Sequence, residues 1–205
     1  MDDELGLFPL DLVLLPTERI PLHIFEERYK ELIGECIAAA RPFGLLREGF
    51  DVGTRATVTQ VLRELPDGRL DVVVEGGERF RVLEPTSGRS FDTALVEPVE
   101  DDGEAADEET VEQALELFRK LVVLTETDVD EPSADAPELA FELAARVEFD
   151  ADRKQELLEL TSPARRFERL VELLTRAAET IALEREVHDR AATNGKVMPL
   201  RPDDG

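Results

Sequence analysis

Side chains that could act as nucleophiles or metal ligands are scarce in this sequence. It contains one cysteine, Cys36, and two histidines, His23 and His188. Because a nucleophile needs a base within hydrogen-bond reach, Cys36 with His23 is the one conceivable thiol–imidazole pair. The apolar spacing around Cys36 places it on the inner face of a helix, where a thiol is an inert packing group. The sequence therefore predicts no catalytic residue.

Motifs for phosphate, metal and acyl-transfer chemistry are absent from the sequence. It has no G-x-x-x-x-G-K-[ST] loop, and the segment SGRS at 87–90 lacks the first glycine of a G-x-S-x-G nucleophile elbow. A single cysteine excludes both an intrachain disulfide and a Cys/His zinc cluster. We therefore expect no cofactor, no metal and no enzymatic activity.

The excess of acidic over basic residues limits the kinds of molecule that the protein is expected to bind. The 205 residues include 48 Asp and Glu against 24 Lys and Arg, a formal net charge of −24. Affinity for nucleic acids comes mainly from neutralised phosphates, so this charge argues against nucleic-acid binding and favours basic peptides. No apolar run approaches the roughly 20 residues of a membrane span, and the acidic start is unlike a secretory signal. We expect a cytoplasmic protein with no membrane partner.

The sequence pattern of residues 1–100 is typical of a β-rich subdomain with one helix. The sequence LPDG at 65–68 is typical of a hairpin turn, and glycines at 53, 76 and 77 are also expected in turns. Several short strands separated by turns predict a small curled sheet or barrel. A helix over 26–40 would turn one face inward: Tyr29, Leu32, Ile33, Cys36 and Ile37. The predicted strands are 12–15, 20–24, 43–46, 56–65, 70–75, 79–83 and 93–96.

An acidic block separates this part from a helical one. Residues 92–112 carry ten carboxylates and no basic residue, which favours a solvated linker at 101–110 over a cation site. The break between the two parts is expected within 97–107. Because strands precede helices, the fold class is α+β.

Four amphipathic helices with short connections are expected over 111–190, and they form a small bundle. Asp150 is placed to cap one of them, and Ser162 followed by Pro163 is a strong start signal for another. One more helix is expected to begin with Pro137 in its first turn. Residues 191–205 show no periodicity and are predicted to form a mobile tail.

An ordered series of short motifs carries a family resemblance. The first are LFPL at 7–10, VLLP at 13–16 and IPLHIFEERY at 20–29. VGT at 52–54, LPDGRL at 65–70, VEG at 74–76 and RFRV at 79–82 follow. In this order and spacing the series resembles the Lon protease N-terminal, substrate-binding domain. The resemblance covers about residues 5–185.

The resemblance implies a curled, PUA-like β subdomain followed by a helical bundle, with a β part shared by cereblon-type proteins. Full Lon proteases continue into ATPase and Ser-Lys peptidase domains, and neither is present here, so the chain is similar to stand-alone Lon-domain proteins. The implied role is to bind unfolded or exposed polypeptide segments without cleaving them, or to act as an adaptor for a protease or chaperone. Strand addition at a sheet edge or an apolar groove between subdomains could hold such a segment.

Two other functions stay open at this point. A small-molecule site of the cereblon kind needs a cage of aromatic residues, and the chain has no Trp and one Tyr. An RNA site on a PUA-like barrel needs a basic stripe, and the most basic segment, 161–190, is neutral overall.

A module that binds unfolded polypeptides must keep some apolar side chains exposed, and we expect such a surface on the β part. The peptide-binding candidates are Phe8, Leu10, Phe25, Arg28 and Tyr29.

Overall fold

The computed structural model describes residues 3–194 and shows an α+β fold, as expected. Six strands and one helix come first, and four helices follow. The strands are β1 (Asp3–Leu10), β2 (Arg19–Ile24), β3 (Phe43–Arg47), β4 (Val52–Glu64), β5 (Leu70–Thr86) and β6 (Thr93–Pro98). The helices are α1 (Glu27–Ala39), α2 (Glu108–Thr125), α3 (Leu139–Ala145), α4 (Ala151–Glu159) and α5 (Pro163–Asn194).

The strands close into a ring. β1 pairs in parallel with β3, and antiparallel pairs then link β3 to β4, β4 to β5, β5 to β6 and β6 back to β1. β2 lies outside the ring and pairs with the first half of β5, from Leu70 to Glu75. Closure requires strong curvature, and the register shifts in β4 and β5 supply local bends. The prediction of a curled barrel with one helix describes this arrangement.

Three glycines that were expected to turn the chain lie inside strands instead. β5 runs without interruption through Gly76 and Gly77, and Gly53 lies within β4. A Cβ on Gly76 would overlap the backbone carbonyl of Leu15, and one on Gly53 would lie 2.5 Å from the carbonyl oxygen of Leu45. The turn prediction was wrong here because these glycines permit close backbone approach, not chain reversal. Gly68 has a φ of +79° and closes the β4–β5 hairpin, as predicted.

The apolar run at 12–15 is not a strand. It forms an irregular segment in which Val13, Leu14 and Leu15 are nevertheless buried and Leu12 is partly buried. The Thr54 hydroxyl donates to the Leu14 carbonyl, and the Leu15 N–H donates to Glu18, so side chains satisfy these backbone groups. The first strand instead spans Asp3–Leu10.

Helix α1 packs its predicted apolar face, apart from Ile37, against side chains of the sheet. Tyr29, Leu32, Ile33 and Cys36 are buried, whereas Ile37 is 41% exposed. Burial raises the pKa of the Cys36 thiol and makes it a poor nucleophile. The expectation of an inert packing cysteine fits this placement.

The helical part follows the predicted pattern at most of its boundaries. Asp150 caps α4 by accepting from the Arg153 N–H at 2.9 Å, and Pro163 is the first residue of α5, as predicted. α3 begins at Leu139 and not at Pro137. α5 continues to Asn194, beyond the predicted end of the bundle at 190. The rest of the predicted tail, residues 195–205, lies outside the described residues.

One hydrophobic core joins the two parts of the chain. The main helical cluster includes Leu115, Phe118 and Leu170, and it extends to Val13, Leu15 and Val52 of the β part. The segment that connects them, residues 99–107, follows β6 and precedes α2. Because apolar side chains cross this boundary, the helices are packed against the barrel and not merely tethered to it.

Candidate functional site

The predicted binding corner presents two side chains to solvent, Phe25 and Arg28. Phe25 lies between β2 and α1, is 60% exposed, and has its ring centroid 6.0 Å from that of His23. Arg28 lies in the first turn of α1, and its guanidinium lies 4.4 Å from the ring centroid of Tyr29. The Nε of Arg28 donates to the Glu26 carboxylate at 3.1 Å. This corner offers one apolar and one cationic contact.

The other three candidates belong to the core or its margin. The Tyr29 and Phe8 rings are both buried, and their centroids lie 4.0 Å apart. Burial raises the pKa of the Tyr29 phenol. Leu10 is partly buried against the same cluster. Sequence reasoning overestimated the surface here because helix α1 covers residues that a bare sheet would expose.

The β part therefore has less spare apolar surface than expected. Leu14 and Phe43 are fully buried, and Phe50 is half-buried with the Arg47 guanidinium 4.8 Å from its ring centroid. Within the described residues of the β part, the large apolar side chains that stay exposed are Phe25, Ile37, Val61, Leu62 and Leu83.

A large apolar groove lies instead within the helical bundle. Its volume is about 750 Å³. Its walls come from α2, from the segment after α2, from the loop between α3 and α4, and from α5. The apolar lining includes Phe118, Val122, Val147, Phe149, Leu173 and Ala177. A concave apolar surface of this size is a typical binding site for part of another molecule.

The elements that form the groove explain why it stays open. α2 and α5 pack along their length, and an ion pair from Arg185 to Glu126 joins α5 to the end of α2. α3 has only seven residues and α4 only nine, so neither is long enough to cover the outer part of α5. The chain between α3 and α4 bends around Val147 and Phe149 and forms the remaining wall. Length mismatch between packed helices thus leaves a gap.

Sequence reasoning did not find this groove. Phe118, Val122 and Ile181 lie on the apolar faces of amphipathic helices, and the sequence pattern of such a face is the same whether it packs against a neighbour or lines a groove. The available signal was the short span between Pro137 and Asp150, which can hold only a short helix. Four charged side chains also line the groove: Arg146, Glu148, Arg153 and Arg176.

The junction between barrel and bundle is filled by an ionic cluster. Asp101 accepts hydrogen bonds from Arg79 on β5 and from Arg166 on α5, and both arginines are buried. Arg79 also donates to the carbonyls of Leu158 and Leu160 at 2.9 Å. The expectation of a wholly solvated acidic linker was wrong for Asp101, because it compensates two buried cations.

A cleft of about 420 Å³ remains at this junction, between α4 and the β3–β4 connection. Arg47 crosses it to pair with Asp152 at 2.7 Å, and Gln155 donates to the Val52 carbonyl at 3.1 Å. Most of its lining is charged or polar. It is not the apolar groove that a binding site between the subdomains would need.

Candidate chemical groups are not brought together within residues 3–194. His23 pairs with Asp71 at 2.6 Å and not with Cys36. The described residues contain no cluster of three or more His, Cys, Asp or Glu side chains suited to a metal ion. The side chain of His188 lies outside the described set. No helix in the described range is long and apolar enough to cross a membrane.

Comparison with known sequences identifies the family. Residues 4–176 match the ATP-dependent protease La (LON) substrate-binding domain. The chain belongs to this family. Lon protease 2 of Herpetosiphon aurantiacus is 28% identical over 91% of the chain, and Lon protease of Nitratidesulfovibrio vulgaris is 31% identical over 91%. The chain spans about a quarter of the length of these relatives.

Solved structures agree with this assignment. A Lon N-terminal domain protein from Xanthomonas campestris superposes with a TM-score of 0.66 at 27% identity, over 83% of this chain and 98% of that one. The N-terminal domain of Mycobacterium avium complex Lon protease gives a TM-score of 0.64 at 18% identity, which shows a shared fold. The family match ends at residue 176, so it includes the barrel and most of the groove lining, whereas Ala177, Thr180 and Ile181 on the α5 wall lie beyond it.

Proposed function

We propose that this protein is a non-enzymatic polypeptide-recognition module that binds exposed apolar segments of unfolded proteins. The observation that carries the proposal is the open apolar groove of about 750 Å³ between α2, the α3–α4 loop and α5. An unfolded chain exposes apolar side chains that a native protein buries, and a concave apolar surface binds them by removing both from water. Membership of a substrate-binding domain family supports this function.

The Phe25 corner is a second contact surface in this proposal. Phe25 and Arg28 lie on the β part, outside the helical bundle that forms the groove, and combine an apolar ring with a cation. Interfaces are enriched in such side chains. We propose that a long unfolded chain contacts both the groove and this corner.

An adaptor role for a protease or chaperone uses the same surfaces and stays within this proposal. The small-molecule alternative lacks support, because the one tyrosine, Tyr29, is buried against Phe8 and contributes to no exposed aromatic cage. RNA binding lacks support as well, because the net charge of −24 repels phosphates.

The test is a substitution that blocks the groove. Ala177→Lys places a long side chain on the groove wall of α5, and Ala182→Lys places the same side chain on an exposed position of the same helix outside the groove. Binding of reduced, carboxymethylated α-lactalbumin, which is permanently unfolded, is measured by fluorescence anisotropy. We expect Ala177→Lys to weaken binding about tenfold and Ala182→Lys to change it less than twofold.

Phe25→Ala is the third arm and tests the corner. A loss smaller than that of Ala177→Lys is expected, because one exposed ring contributes less area than the groove. Circular dichroism before and after heating checks that all three variants fold. Equal binding by wild type and a folded Ala177→Lys variant would exclude the groove, and no binding by the wild type would reject the function.

A further inference from the structure

The charges around the groove differ in sign from those of the chain as a whole. Arg146, Arg153 and Arg176 line the groove, against one carboxylate, Glu148. The whole chain has twice as many acidic as basic residues. Cations are therefore concentrated where the proposed ligand would bind.

The three arginines differ in how far they are already neutralised. Arg153 pairs with Asp150 at 2.9 Å, and Arg146 pairs weakly with Glu142 at 3.4 Å. Arg176, which is exposed on α5, makes no ion pair with any residue in the part of the chain that the structure covers. Its guanidinium is the one most available to a carboxylate on a ligand.

The position of Arg176 gives that carboxylate an apolar neighbourhood. Leu173 lies one turn before Arg176 on α5, Ala177 follows it, and Thr180 lies one turn after it, and all three line the groove. A ligand that fills the groove removes water from these walls, and an ion pair beside them is screened less than one in open solvent. The gain therefore requires an apolar residue and an acidic residue close together in the ligand.

We propose that the groove selects apolar polypeptide segments flanked by Asp or Glu, and that Arg176 forms the ion pair with the carboxylate of the acidic flank. This inference rests on the proposed function and names its ligand class. It reverses the expectation, drawn from net charge, that basic peptides are preferred. At physiological salt the Debye length is about 8 Å, so charges elsewhere on the surface are screened. The charges at the groove therefore determine which peptides bind more tightly.

The test uses three fluorescein-labelled peptides that share one core of Leu, Phe and Val residues. Their flanks carry Glu, Gln or Lys at the same positions. Dissociation constants are measured at physiological salt for the wild type, Arg176→Gln and Arg165→Gln. Arg165 is exposed on the same helix, lies outside the groove and has no ion pair within residues 3–194. The two variants have equal net charge, so any long-range effect of the chain's charge cancels between them.

We expect the Glu-flanked peptide to bind the wild type about three- to fivefold more tightly than the Gln-flanked one, which corresponds to a single well-placed ion pair. Arg176→Gln should abolish this difference, and Arg165→Gln should preserve it. The Gln-flanked peptide should bind all three proteins alike. Raising the salt concentration should reduce the difference without abolishing binding of the core.

Each contrary result has its own meaning. Equal binding of the three peptides to the wild type would overturn the acidic preference while leaving the proposed function intact. Tightest binding of the Lys-flanked peptide would overturn it in favour of control by net charge. An equal loss of the preference for the Glu-flanked peptide in Arg176→Gln and Arg165→Gln would show that Arg176 does not bind the acidic flank. No binding of any peptide would reject the groove as a binding site. Thermal midpoints of both variants, which should equal that of the wild type, exclude misfolding as the cause.

Discussion

At the scale of single residues, the ionic cluster at Asp101 shows how one carboxylate fixes two distant segments. Arg79 and Arg166 repel each other, and burial disfavours both charges, so each needs the anion between them. Partial burial opposes ionisation of Asp101, but hydrogen bonds and charges from Arg166 and Arg79 outweigh it and hold its pKa below the ordinary carboxyl value. The Phe141 ring lies 4.3 Å from Arg166 and completes the enclosure.

Asp101→Asn should lower the free energy of unfolding at neutral pH by about 2 kcal/mol, because it leaves two buried cations uncompensated. Water reaches this half-exposed carboxylate, so the loss is smaller than for a fully buried pair. Since the pKa is lower in the folded state, the stabilisation is complete above about pH 4 and is lost as the pH falls through the folded value. Urea unfolding at neutral and acidic pH measures both effects.

Asp102→Asn is the matched control for that prediction. The backbone N–H of Asp102 donates to the Thr161 carbonyl, and its exposed side chain has no ion-pair partner in the described range. It should change stability by less than about 0.5 kcal/mol at either pH. Equal effects of the two substitutions would contradict the assignment of the cluster to Asp101.

At the scale of elements, the long strand β5 determines how the barrel closes. Its first half pairs with β2 and its second half with β6, so one continuous strand joins the ring to the outer sheet. Gly76 lies between these halves, at the point where β5 passes against the irregular segment at 12–15. A hydrogen bond from the Thr17 N–H to the Gly76 carbonyl, 2.8 Å long, joins the two backbones there.

Gly76→Ala should destabilise the fold by about 2–3 kcal/mol, because the added methyl group overlaps the rigid backbone of Leu15. Gly34→Ala is the control. It lies within α1, where an added Cβ meets nothing within 4 Å, and should stabilise by about 0.5–1 kcal/mol through helix propensity. Urea unfolding of both variants measures the difference. A Gly76→Ala variant as stable as the wild type would show that the two backbones can separate at little cost.

The elements also show where sequence reasoning succeeds. The helix starts at Asp150 and Pro163 follow from local chemistry, since a capping side chain or a fixed φ acts within one turn. The prediction of a turn at Gly76 was wrong because the role of this glycine depends on a backbone segment about sixty residues earlier in the chain. The groove was not predicted for a related reason. Whether Phe118 and Ala177 touch a neighbour or line a gap is decided by the lengths of other helices, and no local pattern records those contacts.

At the scale of the whole molecule, the shared core predicts that barrel and bundle unfold together. Val13, Leu15 and Val52 of the β part pack into the helical cluster, and Lys154 of α4 pairs with the buried Glu18. Exposing either part alone would expose this apolar boundary and leave charges unpaired. We therefore expect the chain to unfold as one cooperative unit, although its sequence divides into a β-rich part and a helical part.

The single tyrosine provides the measurement. Tyr29 lies in the barrel core, and the chain has no tryptophan, so intrinsic fluorescence reports on the barrel alone. Far-ultraviolet circular dichroism is dominated by α2 and α5. The two signals should give the same urea midpoint and the same slope. Separate transitions would contradict the shared core, and Asp102→Asn serves as a variant that should leave both curves unchanged.

Under the proposed function, the closed ring of strands has a further consequence, because the proposed ligands are aggregation-prone unfolded chains. An unfolded client can add to any free strand edge and template a growing fibril. Ring closure pairs most edges, and the outer strand β2 carries Pro21, which has no N–H to donate, between Arg19 and His23. In the proposed function, an unfolded chain is bound through its side chains in the helical groove and not at a strand edge. Such recognition would let the protein hold aggregation-prone chains without seeding their assembly.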